Sequence, residues 1–445
     1  MSFDSETLLR RLAGLESVAG TPGRYVVAFS GGLDSSVLLH VLAGVRAEHG
    51  KRVVAIHVDH GLHRDSRSWS GHCRRFCTKL GVSFESLEAT VATGTGQGIE
   101  AAAREARYAA LQGLLEPGDW LLSAHHRDDQ AETVLMNLMR GSGTTGLGGI
   151  PAARRIGDSW LVRPLLDVSR DELEAYADSH SLETLTDPSN LEQQFDRNYL
   201  RHEILPRLDE RWPDAANRIR RSATLSREAS MLLAELAEID RRQCADRADR
   251  VSIAALRELS VERQRNLLRY LVVEVGLPAP GAKQLEQIVS ELVPAREDAQ
   301  PLVGWPGACV RRYRDRLYLL RATDQDLEVA KPQKVSGDRV LLPDGLGELE
   351  LRRGADRGLS DALVSGGLEL RYRVGGEEIR PLGQRHTRKL KKLLQEEGVV
   401  PWMRERLPLL YSAGNLVAVA DLWIAADAVS EPGTAISWRH RPARH

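Results

Sequence analysis

The sequence predicts an α/β protein led by a parallel sheet, followed by a mainly helical region and a small α+β region at the C-terminal end. Two observations carry the first part. Short strand-like runs at 26–29, 53–58, 82–88 and 120–124 alternate with stretches of helical periodicity, the pattern of a parallel sheet covered by helices on both faces. The unusual residues fall just after three of those runs, at the strand carboxyl ends where such sheets bind ligands. A third observation sets the scale. At 445 residues the chain exceeds one core, so two to four domains are expected.

The first element is an amphipathic helix at 5–17, with leucines and charges at helical spacing. The strand at 26–29 then runs into Ser30-Gly31-Gly32-Leu33-Asp34-Ser35-Ser36, and a helix begins at Val37. A strand, a glycine turn and a helix N-terminus make an anion site, because backbone N–H groups and the helix dipole both favour negative charge there. Ser30, Ser35 and Ser36 add hydroxyl donors. No lysine follows the second glycine, which argues against the Walker loop of kinases and GTPases. An aspartate inside an anion nest makes sense once a cation is added, and Asp34 is therefore expected to ligate Mg2+ and bridge it to phosphate oxygens. An ordinary βα turn with a serine N-cap is the competing description.

The next strand, 53–58, ends beside that loop, where backbone groups of Ile56 and Val58 could read the edge of an adenine. His57, His60 and His63 match no metal-ligand spacing and are expected to pack near the nucleotide. Helices at 66–80 and 98–115 flank the strand at 82–88. On the second, Arg104 and Arg107 are neighbours three apart that either face phosphate or sit on a solvated face.

The strand at 120–124 opens into His125-His126-Arg127-Asp128-Asp129-Gln130-Ala131-Glu132-Thr133. One acid would complement the helix dipole. Asp128, Asp129 and Glu132 crowded at one helix start look instead like a site for a cation or an ammonium group. A glycine-rich stretch at 140–149 is either a closing loop or a linker, and a capping box at Ser169 and Glu172 starts another helix. Arg197 and Arg201 lie four apart and need an anion: phosphate, RNA, or the acids at 196 and 203.

Residues 225–320 read as a small helical bundle closed by a hairpin, and 321–337 is the best linker. Strands at 339–353 and 368–374 open the last region, and a hairpin turning at 413–415 closes it. Between them a basic helix is expected at 385–392, where Arg385, Arg388, Lys389, Lys391 and Lys392 meet no acid before Glu396. A phosphate-backbone patch is favoured over a solvated face. The chain is expected to divide into 1–220, 221–322, a linker at 323–338, and 339–445.

Composition excludes several classes. With 28% charged and 42% hydrophobic residues the chain is of the soluble globular type. A formal net charge of −1 means that any nucleic-acid surface must be local. Its four cysteines contain no Cys-x-x-Cys, against a zinc ribbon or an iron–sulfur site, and reduced thiols are expected. The N-terminus lacks a basic-then-apolar leader, and no apolar run reaches membrane-spanning length.

The heptapeptide at 30–36 is the signature of the PP-loop ATP pyrophosphatases, whose fold is adenine nucleotide alpha hydrolase-like. The stretches at 125–133, 140–143, 187–201 and 380–392 narrow the resemblance to the tRNA(Ile)-lysidine synthase family, in its long form with two C-terminal domains. The middle of the chain matches only in position and size. The resemblance implies a bacterial cytoplasmic ligase. It would adenylate C2 of the wobble cytidine of the CAU-anticodon tRNA(Ile) with ATP, release pyrophosphate, and let free L-lysine displace AMP. The loop at 30–36 with Mg2+ on Asp34 would serve the phosphates. The acids at 128, 129 and 132 would meet the lysine, Arg197 and Arg201 would bind phosphate or tRNA, and the basic stretch would grip the tRNA body. Thiolation of tRNA is the rival chemistry and would need a sulfur-carrying cysteine pair. A tRNA-binding scaffold with a decayed nucleotide site is the non-enzymatic rival. Oligomeric state is not set by the sequence, with a homodimer as one option.

Overall fold

The computed structural model describes residues 3–59, 66–88, 99–186, 196–296, 299–322, 332–343 and 345–441, without the side chains of 66–67 and 99–105. His60, His63 and the 187–195 part of the fourth signature lie outside the described residues. The chain divides into two compact units, Met1–Leu232 and Leu233–His445.

In the first unit a six-stranded sheet runs in the order β3-β2-β1-β4-β6-β5, with β1 Arg24–Ala28, β2 Arg52–Asp59, β3 Ser83–Glu88, β4 Trp120–Leu122, β5 Ala153–Ile156 and β6 Ser159–Val162. All pairings are parallel except the β5–β6 hairpin at the edge. That hairpin was not foreseen. Its Arg154 and Arg155 stack on Tyr108 and Trp160, which blunts an exposed strand edge. The helices are α1 Ser5–Ala19, α2 Leu33–Gly44, α3 Arg46–His49, α4 Ser66–Leu80, α5 Ile99–Gln112, α6 Arg127–Met139, α7 Thr144–Leu147 and α8 Arg170–Ser179. A further helix starts as α9 Asp196–Tyr199, widens into a π-helical turn at Leu200–Ile204, and continues as α10 Leu205–Arg211. The long α11, Ala215–Cys244, comes next.

Residues of alternate parity along β1 feed two cores, as the two-residue period of a strand requires. Tyr25 and Val27 join Leu38, Leu42, Trp120 and Leu173 on one face, while Val26 packs with Val54, Ile56, Leu111 and Leu121 on the other. The chain moves outward from β1 to β3 and then returns to the other side of β1 as β4. The topological switch point therefore lies between β1 and β4, and the loops after these two strands carry the signatures at 30–36 and 125–133.

The glycine-rich stretch at 140–149 is neither an open lid nor a plain linker. Its centre is α7, Asn137 donates to the Gly146 carbonyl at 2.8 Å, and Arg227 donates to the Gly148 carbonyl at 2.6 Å.

In the second unit the helices Ile253–Arg257, Val261–Glu274 and Ala282–Gln287 share a core with a five-stranded antiparallel sheet. The hairpin expected near 308–320 exists as Ala308–Tyr313 and Arg316–Arg321 and forms the centre of that sheet. The last hundred residues hold two more five-stranded sheets, and the closing hairpin Leu409–Ser412 and Asn415–Val419 turns through Ala413 and Gly414, both at positive φ. Among the described residues no helix is long and apolar enough to cross a membrane.

Leu121 sits in the middle strand, wholly buried between β1 and β6. Leu121→Ala is expected to destabilise the first unit by about 2–5 kcal/mol, read as a lower midpoint in urea unfolding, without moving the loops on either side.

Candidate active site at the switch point

The loop after β1 is shaped by glycine chemistry. Gly31 adopts φ +81°, and a Cβ there would lie 2.8 Å from both Cys73 Sγ and Leu185 Cδ1. Gly32 is the N-cap of α2 and offers no side chain to the first-turn N–H groups. The serine-capped turn is thereby excluded, and the helix start is left for an anion. Leu185 fixes the loop from outside: its N–H donates to the Gly31 carbonyl at 2.9 Å, and it forms a parallel bridge with Gly32.

The three serines divide their work. Ser30 is exposed, and its hydroxyl lies 3.1 Å from that of Ser35 and accepts from the Gly32 N–H at 3.3 Å. Ser35 is buried and donates to the Gly32 carbonyl at 3.1 Å. Ser36 is fully buried and donates to the Gly31 carbonyl at 3.3 Å. The Ser36 side chain, expected among the phosphate ligands, thus serves as a strut of the loop. Leu33 is half-buried and packs on the core below, so it contributes its backbone.

Asp34 occupies the first turn of α2. Its Oδ2 lies 3.5 Å from Arg170 Nη1 and 3.9 Å from His126 Nε2. Its Oδ1 is buried and has no hydrogen-bond partner among the described residues. Burial pushes the Asp34 carboxyl up, against the pull of His126 and Arg170. A buried carboxylate oxygen with no donor is costly, and a hard cation is the partner that suits it. The residues present therefore fit Mg2+ at Asp34.

The signature after β4 folds as the cap of α6. Asp129 Oδ2 accepts from the His126 N–H at 2.9 Å, closing a capping box. His126 is almost wholly buried, which lowers its basicity, yet Asp129, Asp128 and Asp34 surround the ring and raise its pKa on balance. Asp128 accepts at Oδ2 from the Arg170 backbone N–H at 2.9 Å and faces His126 Nδ1 at 3.2 Å. Burial opposes its ionisation, but these two donors hold it below the usual carboxylate range.

Arg197 and Arg201 converge on the second signature. Arg197 donates to Glu132 Oε2 at 2.6 Å and Asp129 Oδ1 at 2.7 Å. Arg201 donates to Glu132 Oε1 at 2.6 Å, Glu132 Oε2 at 3.1 Å and Asp129 Oδ1 at 3.1 Å. Arg201 lies in the π-helical turn, a rare geometry that concentrates at functional sites. Asp129 is held well below the usual carboxylate range, where His126 and Arg197 overcome the cost of burial. Glu132 has 0% exposure. Of the three acids expected to face a ligand, Asp129 and Glu132 are engaged by guanidinium groups. Asp34 and Asp128, with side chains 27% and 32% exposed, are the carboxylates that solvent reaches.

The remaining candidates are scattered. The Ile56 carbonyl already accepts from the Phe29 N–H at 2.8 Å, so it belongs to the sheet. Val58, two residues on along the same edge, extends past Ala28, the last β1 partner, and is the better placed of the two. Arg104 lies on α5, but its side chain is outside the described residues. His57 is buried against the Phe29 carbonyl at 2.9 Å, as a packed histidine. Cys73 and Cys77 are buried, and burial pushes both thiols up to about 12, away from reactive thiolate character.

In the second unit the basic helix is shorter than expected. Arg385 lies in a turn, Arg388–Lys389 is a strand, and only Lys391 and Lys392 are helical, on Leu390–Glu396. Glu396 folds back to pair with Arg388. Arg385, Lys389, Lys391 and Lys392 are exposed and form no salt bridge among the described residues, above the buried Leu390, Leu393 and Leu394.

Two residues of the switch-point site were missed in the sequence. Arg170 is the first residue after the Ser169 cap, and its place at the start of a capped helix was the available signal. Leu185 gave none, since its contact with Gly31 is long-range. Arg201→Ala is expected to leave Glu132 half-compensated and fully buried, costing about 3–5 kcal/mol in a thermal melt. Arg201→Lys should recover little, because a single ammonium cannot replace the two-pronged contact.

Residues 5–208 match the family described as PP-loop domain, 252–318 the TilS substrate binding domain, and 368–439 the TilS substrate C-terminal domain. A tRNA(Ile)-lysidine synthase of Alkalilimnicola ehrlichii is 41% identical over 437 residues, covering 96% of this chain and 95% of its own. The synthase of Coxiella burnetii is 39% identical over 417 residues, covering 94% and 92%. That of Pectobacterium atrosepticum is 41% identical over 424 residues, covering 95% and 94%. With such identity sustained along nearly the whole of both chains, this chain belongs to the tRNA(Ile)-lysidine synthase family.

Proposed function

We propose that the protein ligates free lysine to C2 of the wobble cytidine in the CAU-anticodon isoleucine tRNA, in the bacterial cytoplasm. ATP is the co-substrate. The cytidine O2 attacks the α-phosphorus and pyrophosphate leaves; the lysine amine then attacks C2, and AMP departs with that oxygen as the amine gives up a proton. The observation that carries this reading is the meeting of the 30–36 and 125–133 stretches across the switch point, with a buried, unpartnered Asp34 oxygen between them.

Each residue then has a task. The backbone of Ser30 to Leu33 and the start of α2 receive the phosphates, with Ser30 and Ser35 beside them. Val58 offers its backbone to the adenine, with Ile56 behind it and Arg104 as a further phosphate ligand. Asp34 would hold Mg2+, which supplies charge neutralisation for the leaving pyrophosphate. Asp128, the more open acid of its group, meets the lysine ammonium and is the candidate to take its proton. Asp129 and Glu132 orient Arg197 and Arg201 toward substrate phosphate. Arg385, Arg388, Lys389, Lys391 and Lys392 bind the tRNA body. On this reading residues 1–220 are the catalytic domain, 221–322 a substrate-binding domain, 323–338 a linker, and 339–445 a tRNA-binding domain.

Labelled lysine should enter tRNA only when ATP and the CAU-anticodon isoleucine tRNA are both supplied. Asp34→Ala should lower that incorporation by on the order of a hundred-fold or more. Full activity in that variant would remove the cation from the account. Replacing Lys391 and Lys392 together by alanine should weaken tRNA binding and reduce the slope of log K against log salt by about 1.5–2, with turnover at saturating tRNA retained.

A further inference from the structure

We propose that the Arg170 side chain is the resident counter-ion of Asp34, holding the carboxylate while no divalent cation is bound and passing to the phosphates of ATP when cation and nucleotide arrive. The proposal rests on the reading of Asp34 as a cation ligand.

Arg170 is placed by two constraints. It follows the Ser169 cap of α8, and its backbone N–H is fixed on Asp128 Oδ2 at 2.9 Å. The backbone is therefore anchored on the second signature, while the side chain is 38% exposed and reaches the first. The guanidinium is shared. Nε donates to Glu174 Oε1 at 2.9 Å, and Nη1 reaches Asp34 Oδ2 at the long distance of 3.5 Å. A contact of that length is weak, and it leaves Asp34 Oδ1 unpartnered. The carboxylate is thus partly neutralised, and held loosely enough to exchange its partner.

Charge governs the exchange. A divalent ion on Asp34 would stand within a few ångströms of the guanidinium, and like charges at that range repel strongly in a half-buried site. The guanidinium then needs a different anion. Glu174 holds its Nε, and the triphosphate expected over the start of α2 would serve the remaining prongs, since a planar fork suits phosphate oxygens. The same side chain would serve two states of one site, with Glu174 as its resting support.

The test is Mn2+ binding to the full chain without ATP or tRNA, read by the paramagnetic resonance signal of the free ion, together with the KM for ATP in pyrophosphate release. Arg170→Ala and the near-isosteric Arg170→Gln should each bind Mn2+ about five-fold tighter or more. Both should raise the KM for ATP about ten-fold. Glu174→Ala, at an exposed position, should have the opposite sign and weaken Mn2+ about two- to three-fold by letting the guanidinium settle on Asp34. A merely structural role would loosen metal and nucleotide together. Unchanged or weaker Mn2+ binding in both Arg170 variants overturns the counter-ion role, and tighter Mn2+ with unchanged KM overturns the passage to phosphate. Asp34→Asn separates the layers: if it leaves Mn2+ affinity intact, the cation reading itself falls, whereas weaker Mn2+ there with no Arg170 effect sinks this inference alone.

Discussion

The structure depends on a buried carboxylate that two guanidinium groups neutralise. Glu132 has no exposure, and an uncompensated charge at such a place would cost several kcal/mol. Arg197 and Arg201 remove that cost from 65 and 69 residues away. Their helix must therefore lie against α6, and the π-helical turn at Leu200–Ile204 is where the second arginine is aimed. Asp129 adds a second acceptor for both arginines and at the same time caps its own helix through the His126 N–H. One lattice thus joins a helix start, a strand end and a distant segment. Its geometry is demanding, because each arginine serves two acids at once.

The rest of the switch point hangs on that lattice by charge. Asp34, Asp128, Asp129 and Glu132 face Arg170, Arg197, Arg201 and the His126 ring. Acids and bases are close to balance, so the crevice tolerates burial without a ligand. The balance is uneven in space. Glu132 and Asp129 are saturated, whereas Asp34 has one oxygen without a hydrogen-bond partner among the described residues. Electrostatic pressure therefore collects at the phosphate-loop end, opposite the saturated end. That asymmetry separates the part of the site that holds its shape from the part that exchanges partners.

Much of this was legible in the residues. The strands, the helix at Ser66–Leu80, the Ser169–Glu172 box and the closing hairpin arise from period and turn chemistry, which are local. The glycine loop was legible because two glycines between a strand and a helix leave few other geometries. Long-range pairing was not. Nothing in the local sequence says that Arg197 and Arg201 meet Glu132 rather than the acids beside them, since both satisfy the same charge rule. The fold-back of Glu396 onto Arg388 escaped for a related reason: the stretch was read as one helix, and the strand at Arg388–Lys389 changes the direction of the chain. The β5–β6 hairpin escaped because its strands are four residues each and its charged residues obscure the alternation.

The loop without a lysine gains meaning in this setting. A Walker loop brings its own cation to the phosphates. Here the loop brings an acid, and the positive charge comes from elsewhere: the helix start, the side chains across the crevice and, on the proposed reading, a bound ion. An acid in the loop makes affinity for the nucleotide conditional on a cation being there, because a bare triphosphate meets a like charge at Asp34. On the proposed reading, nucleotide and cation are then taken up as a pair. Leu185 gives that arrangement its rigidity: its backbone holds Gly31 and its side chain fills the space that any residue but glycine would need. The segment that carries Leu185 leads on to Arg197 and Arg201. Leu185 thus braces the phosphate loop, while Arg197 and Arg201 supply the cations of the buried lattice.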